Sequence, residues 1–198
     1  MADYPHRIGL FGGTFDPLHN GHLILAEWSL DALKLDRFIF IPNNIHPFSS
    51  KSDITSTEHR LKMLTAAIAD YDRFCLDDYE IKKDKISYTI DTLRYFKKKW
   101  PEAQLIYLIG ADNMALFDQW KDYKLLPDLA EFKVFRRNPE EPVRNENSRF
   151  NFEILDNPVI QLSSTFLRNR IKNNLSCKSM IPDSAWIHIV NHHLYTGQ

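Results

Sequence analysis

The sequence predicts an α/β fold: an open, mostly parallel sheet with helices on both faces. Short β-branched and aromatic runs alternate with helix-period stretches through most of the 198 residues. The first such unit reads strand, loop, helix, strand within about 35 residues, the signature of a parallel crossover. Hydrophobic residues make up 43% and charged residues 26%, which supplies a core and excludes a disordered or collagen-like chain.

Each element has a local reason. Arg7 to Phe11 is a short apolar run ending at Gly12-Gly13, and it reads as a buried strand entering a tight turn. Leu23, Ala26, Leu30 and Leu33 share one helical face. Phe38 to Ile41, before Pro42, is a second strand. Asn43 to Ser56 is a polar loop, and Thr55-x-x-Glu58 matches a capping box. Leu61, Leu64, Ile68 and Tyr71 mark a second helix, and Phe74 to Leu76 a short strand. Ile90, Leu93, Phe96 and Trp100 mark a third helix, closed by Pro101. Gln104 to Ile109 and Phe132 to Phe135 are strands, with a surface loop from Asn138 to Asn147. Val159 to Leu162 reads as the last strand, leading into a helix through Leu167 and Ile171. Asp183 is expected to cap a final helix with Ile187, Val190 and Leu194 inward. The whole is a Rossmann-like arrangement, whose ligands bind beyond the carboxyl ends of the strands. One domain is expected over 1–198, with 163–198 as a C-terminal helical part.

Lys plus Arg total 25 and Asp plus Glu 26, for a net charge of -1. That balance gives no global attraction to nucleic acid or anionic lipid, so any polyanion must be held locally. Lys82-Lys83 and Lys97-Lys98-Lys99 read as solvated helix faces rather than a nucleic-acid patch. Cys75 and Cys177 are too few and too far apart for a zinc module or a disulfide framework, and two reduced thiols are expected. The first residues lack a secretory pattern, and no apolar run approaches the ~18 residues that span a bilayer. A cytoplasmic protein with no membrane partner is expected. Oligomeric state is left open, a homo-oligomer included.

The loop after the first strand reads Gly12-Gly13-Thr14-Phe15-Asp16-Pro17-Leu18-His19-Asn20-Gly21-His22. Two glycines let the backbone turn and approach a ligand without a Cβ in the way. The helix beginning near His19 to Gly21 offers free N–H groups and a partial positive charge, a phosphate site. His19 and His22, three apart, can aim imidazole donors at one spot there. A zinc ion would want a third protein ligand, which the pattern does not offer. Ser163, Ser164 and Thr165, with Arg168 one turn on, form a second candidate phosphate cradle.

The Gly12–His22 string, with its His-x-Gly-His core, resembles the signature of the nucleotidyltransferase superfamily, shared in part with class I aminoacyl-tRNA synthetases. A chain of 198 residues leaves no space for tRNA-binding modules. Ser163-Ser164-Thr165-Phe166-Leu167-Arg168 is similar to the superfamily's Ser-Ser-Thr-x-x-Arg. Ser87-Tyr88-Thr89, Gly110-Ala111-Asp112, Trp120 and Ile181-Pro182-Asp183 narrow the resemblance, from about Ile8 to Tyr195, to the bacterial nicotinate-nucleotide adenylyltransferase family.

The resemblance implies adenylyl transfer from ATP to nicotinate mononucleotide in NAD biosynthesis. It implies catalytic roles for His19, His22 and Arg168. ATP would be bound by Gly12, Gly13, Thr14, Phe15, Gly21, Asp112, Ser163, Ser164 and Thr165, with Asp112 near ribose hydroxyls. The mononucleotide would meet Tyr88 and Thr89 at its carboxylate and Trp120 at its ring. The family's Pro-Pro-His-Lys is replaced here by Ile45-His46-Pro47-Phe48-Ser49-Ser50-Lys51, with Lys51 the candidate to reach a phosphate. No carboxylate cluster for a metal cage is visible, so Mg²⁺ is expected to arrive with ATP. The alternatives are a nicotinamide mononucleotide or phosphopantetheine adenylyltransferase, or a nucleotide-binding sensor without catalysis.

Overall fold

The computed structural model describes residues 5–44, 54–83, 86–138, 150 and 152–197. The chain opens with strand β1 (Arg7–Gly13), helix α1 (Asn20–Ala32) and strand β2 (Arg37–Pro42). Helix α2 (Thr57–Ile68), strand β3 (Phe74–Leu76), the short helix α3 (Tyr79–Lys82) and helix α4 (Thr89–Lys99) follow. Strand β4 (Gln104–Gly110) runs straight into helix α5 (Ala111–Ala115), then two 3₁₀ turns and strand β5 (Glu131–Phe135). Strand β6 (Glu153–Leu155), helix α6 (Ser164–Lys172) and helix α7 (Asp183–Asn191) complete the chain.

The strands form one sheet in the order β3-β2-β1-β4-β5-β6, and every described pairing is parallel. The order reverses between β1 and β4. Connections leave their carboxyl ends in opposite directions there and open a crevice. Two hydrophobic clusters lie on the two faces. One packs Leu23, Ala26 and Leu30 of α1 with Met63 and Leu64 of α2, Leu167 of α6, and Ala185 and Ile189 of α7. The other packs Ile90, Leu93 and Phe96 of α4 against Ile8, Leu10, Ile39 and Leu105. Alternate residues of the central strands therefore supply the two cores, which makes the strands apolar throughout.

Several local expectations are corrected. Val159–Leu162 is not a strand: Ile160, Gln161 and Leu162 line a cleft instead. The last strand is β6, three residues on the sheet edge beside β5, too short to show a period in the sequence. The cap of α2 is Ser56, whose Oγ accepts the His59 N–H at 3.4 Å. Thr55 is diverted, its N–H donating to the Asp16 carboxylate at 3.2 Å. Leu61 of α2 is only half-buried and Tyr71 lies exposed beyond the helix, while Arg60 is buried. In α7 the N-cap is Pro182 and Asp183 is the first residue of the helix, where its charge suits the helix dipole.

The inward face of α7 is also different. Ala185 and Ile189 are buried, while Ile187 is 57% and Val190 50% exposed. Leu194 packs partly against the core, as expected. Small Ala185 permits close approach at a face four residues apart. The lysine runs behave as solvated faces: Lys82 pairs with Asp78, Lys83 with Asp91 and Lys99 with Asp77. Both cysteines are free thiols. Among the described residues no helix is long and apolar enough to cross a membrane.

Ile189→Ala is expected to destabilise the fold by about 2–5 kcal/mol, the cost of emptying a core site. Ile187→Ala should stay within about 0.5 kcal/mol of wild type. Urea unfolding of the two variants measures the difference.

Candidate active site

The loop after β1 is held by its carbonyls. Arg60, only 1% exposed, donates to the Thr14 carbonyl at 2.7 Å and the Asn43 carbonyl at 2.8 Å. Arg168 donates through Nη1 to the Asp16 carbonyl at 2.7 Å, and Ser164 Oγ to the Pro17 carbonyl at 2.9 Å. The buried Asp16 side chain accepts the Tyr195 hydroxyl at 2.7 Å and the Thr55 N–H. The turn itself is made by Phe15, at φ 49, not by the glycines, none of which has a positive φ. Its buried ring packs edge-on against Phe11, Phe40 and His22. The glycines provide space instead. A Cβ on Gly12 would lie 2.6 Å from the Tyr107 hydroxyl, and one on Gly21 3.0 Å from His19 Nδ1.

His19 is the N-cap of α1, and its backbone N–H donates to His22 Nδ1 at 3.2 Å. That bond leaves the His22 proton on Nε2, as a donor. The two rings stack with centroids 3.7 Å apart. Burial first, then the Arg137 charge, pushes His19 down from 6.5 to about 4. Burial, His19 and Arg137 hold His22 well below its ordinary value. Both rings are therefore neutral at pH 7 in the free protein. His19 Nδ1 is buried without a hydrogen-bond partner.

Ser163 caps α6, its Oγ accepting the Phe166 N–H at 3.2 Å. Arg168 also donates through Nη2 to Thr165 Oγ1 at 3.3 Å. Gly12, Gly13, Thr14, Phe15, His19, Gly21, His22, Ser163, Ser164, Thr165 and Arg168 all line one cleft of about 870 Å³. The histidines and the arginine, distant in sequence, thus face one space.

A second cavity of about 240 Å³ meets the first along Gly12, Gly13 and Thr14. Tyr88, Thr89 and Trp120 line it. Trp120 is half-buried, its ring 5.4 Å from that of Phe117. Tyr88 is the N-cap of α4, so Thr89 begins a helix whose free N–H groups favour an anion. Asp112 lines neither space. It sits exposed at the rim and pairs with Arg137 at 3.1 Å. Lys51 lies outside the described residues.

Sequence reasoning misses several groups. Arg137 lines the large cleft and acts on both histidines. Arg60 and Tyr195 position the loop from α2 and from beyond α7. Lys121 lies over the Tyr88 ring at 4.6 Å and lines the small cavity. Glu80, also lining it, is buried, and burial raises its carboxyl despite the Thr92 hydroxyl at 2.6 Å. A buried Glu in a polar string such as Asp77-Asp78-Tyr79-Glu80 carries no sequence signal. Arg60, at i−3 and i−4 from buried Met63 and Leu64, does lie on a recognisable inner face.

Comparisons with known proteins agree with this geometry. The family model described as Cytidylyltransferase-like matches residues 10–170. A probable nicotinate-nucleotide adenylyltransferase of Clostridium novyi is 38% identical over 195 residues, covering 94% of this chain and 98% of that protein. One of Bacillus licheniformis is 35% identical, covering 96% and 98%. The nicotinic acid mononucleotide adenylyltransferase of Plasmodium falciparum, solved in complex with NaAD, superposes with a TM-score of 0.79 at 18% identity, covering 96% of this chain and 97% of that one. At that identity the superposition reports the fold, and the closer sequence relatives report the family. The chain belongs to the nicotinate-nucleotide adenylyltransferase family, within the Cytidylyltransferase-like group.

Proposed function

We propose that this protein transfers the adenylyl group of ATP to nicotinate mononucleotide, giving nicotinate adenine dinucleotide and pyrophosphate in NAD biosynthesis. The observation that carries the reading is the junction of the two cavities at Gly12–Thr14, with the imidazoles and Arg168 on one side and Trp120 on the other. The triphosphate occupies the large cleft and the mononucleotide the small cavity, so both phosphates meet at the end of β1.

A phosphate oxygen of the mononucleotide attacks the α-phosphorus of ATP. The new P–O bond forms as the bond to the β-phosphate breaks, and the electron pair leaves on pyrophosphate. The nucleophile is already anionic, so no general base is needed. The protein supplies alignment and donors for charge building on the α-phosphate and leaving group. His22 Nε2–H, the loop N–H groups, Thr165 and the remaining guanidinium donors of Arg168 take that role. Trp120 stacks on the pyridine ring, and the start of α4 receives its carboxylate. Lys121 adds positive charge at that end. Asp112 holds Arg137 at the rim and reaches the ribose from there.

Asp16, the one carboxylate among the described residues lining the large cleft, is taken by Tyr195 and Thr55. Mg²⁺ arriving with ATP would neutralise part of the phosphate charge.

Pyrophosphate release with nicotinate mononucleotide, nicotinamide mononucleotide or phosphopantetheine as acceptor tests the reading. The nicotinate compound should be the fastest, and turnover with phosphopantetheine alone would overturn it. His22→Ala should lower turnover by about 10²–10³, the loss of one preorganised donor. Stopped-quench kinetics at saturating substrates reads it. Trp120→Ala should raise KM for the mononucleotide and leave that for ATP near wild type.

The depressed histidines make a pH prediction. Between pH 6.5 and about 4 an unfolded chain binds a proton at His19 that the folded chain refuses. Stability is therefore full above pH 6.5 and falls as pH drops through that window, by roughly 3 kcal/mol for His19. Urea unfolding from pH 7.5 to 4.5 should show this slope. It should be shallower in His19→Gln and in the presence of ATP, whose negative charge favours the protonated ring.

A further inference from the structure

His59, His188 and His192 bring three imidazole nitrogens within 4.8 Å of one another where α2 meets α7. We propose that these three histidines bind a divalent transition-metal cation, Zn²⁺ foremost, at a site separate from the nucleotide cleft. None of the three lines the nucleotide cavities.

The helices explain the convergence. His188 stands in the last turn of α7 and His192 is its C-cap, four residues on, so both face one side. His59 stands in the first turn of α2 opposite them. His59 Nδ1 and His188 Nε2 are 2.9 Å apart and share a hydrogen bond. The His192 ring centroid lies 5.0 Å from that of His59 and 4.3 Å from that of His188. In a tetrahedral zinc site with bonds of about 2.0–2.1 Å, neighbouring nitrogens stand about 3.3 Å apart. The nitrogens here bracket that spacing, and small side-chain rotations close it.

Three imidazoles are a ligand set for Zn²⁺, Cu²⁺ or Ni²⁺ rather than for Mg²⁺ or Ca²⁺. An imidazole side chain is mostly neutral at pH 7.5, so its lone pair is available to a metal. The proton now shared between His59 and His188 moves to an outer ring nitrogen when the cation takes its place, with no net proton release. Glu58 and Lys62 stand beside the cluster, paired at 2.7 Å. His192 is exposed, so a cation has an entry path. Such a site would clamp α7 to α2, the helix whose Arg60 holds Thr14. Three residues beyond His192, Tyr195 holds Asp16.

The test uses the untagged full-length chain, stripped with chelator and desalted, at pH 7.5. Titration with Zn²⁺ should show one ion bound per chain and a raised unfolding temperature, and Co²⁺ should give the visible absorption of a low-coordinate nitrogen site. His192→Ala should weaken Zn²⁺ binding by at least the about 10–100-fold that loss of even an outer-shell partner costs, with pyrophosphate release unchanged. His59→Asn should do the same from the other helix. His22→Ala, which alters the other histidine pair, should bind Zn²⁺ as wild type does. No stoichiometric Zn²⁺ binding, or binding that survives both cluster variants or is lost in His22→Ala, would overturn the proposal.

Discussion

The loop that follows β1 presents its carbonyls to Arg60, Arg168 and Ser164, and the orientation of the site follows from that. With the carbonyls of Thr14, Asp16 and Pro17 drawn toward α2 and α6, the loop backbone is fixed against the cleft. Hydrogen bonds from charged donors are worth about 1.5–3 kcal/mol each, which exceeds the roughly 1–2 kcal/mol cost of a left-handed Phe15. The same bonds join the N-terminal and C-terminal parts of the chain. Arg168 has donors to spare, since one of its five N–H groups fixes the loop at the Asp16 carbonyl and another holds Thr165 on its own helix.

Topology then decides where the two cavities meet. Strand order reverses at β1 and β4, so the loop after β1 and the start of α5 diverge and leave room at the sheet's carboxyl edge. The large cleft opens on the side of α1 and α6, and the small cavity on the side of α4. Neutral histidines share the large cleft with Arg137, which pairs with Asp112, and with Arg168. Burial is the main cause that holds the imidazoles unprotonated, and the Arg137 charge adds to it. The small cavity is lined by both the buried Glu80 and the exposed Lys121.

Much of this is legible in the residues. Strand-helix alternation points to the parallel sheet, because strands buried on both faces must be apolar and crossovers must be helical. The strings around His19 and Arg168 point to phosphate because short-range geometry at a helix start is local. The edge strand β6 and the inward face of α7 escape such reasoning. Three residues show no period, and which apolar stripe of α7 turns inward depends on the surface it meets. The turn after β1 escapes it for a similar reason: Phe15 adopts the left-handed conformation only because remote side chains hold its neighbours.

By itself the sequence determined the sheet class and the two motif strings that open α1 and α6. Each is a property of residues close together in the chain, where helix starts, apolar periods and glycine spacing act directly. Only the tertiary structure decided that the two motifs share one cleft, that Arg60, Tyr195 and Arg137 belong to its framework, and that Asp112 stands at the rim. Those are contacts between segments tens of residues apart, and packing, not local propensity, selects them.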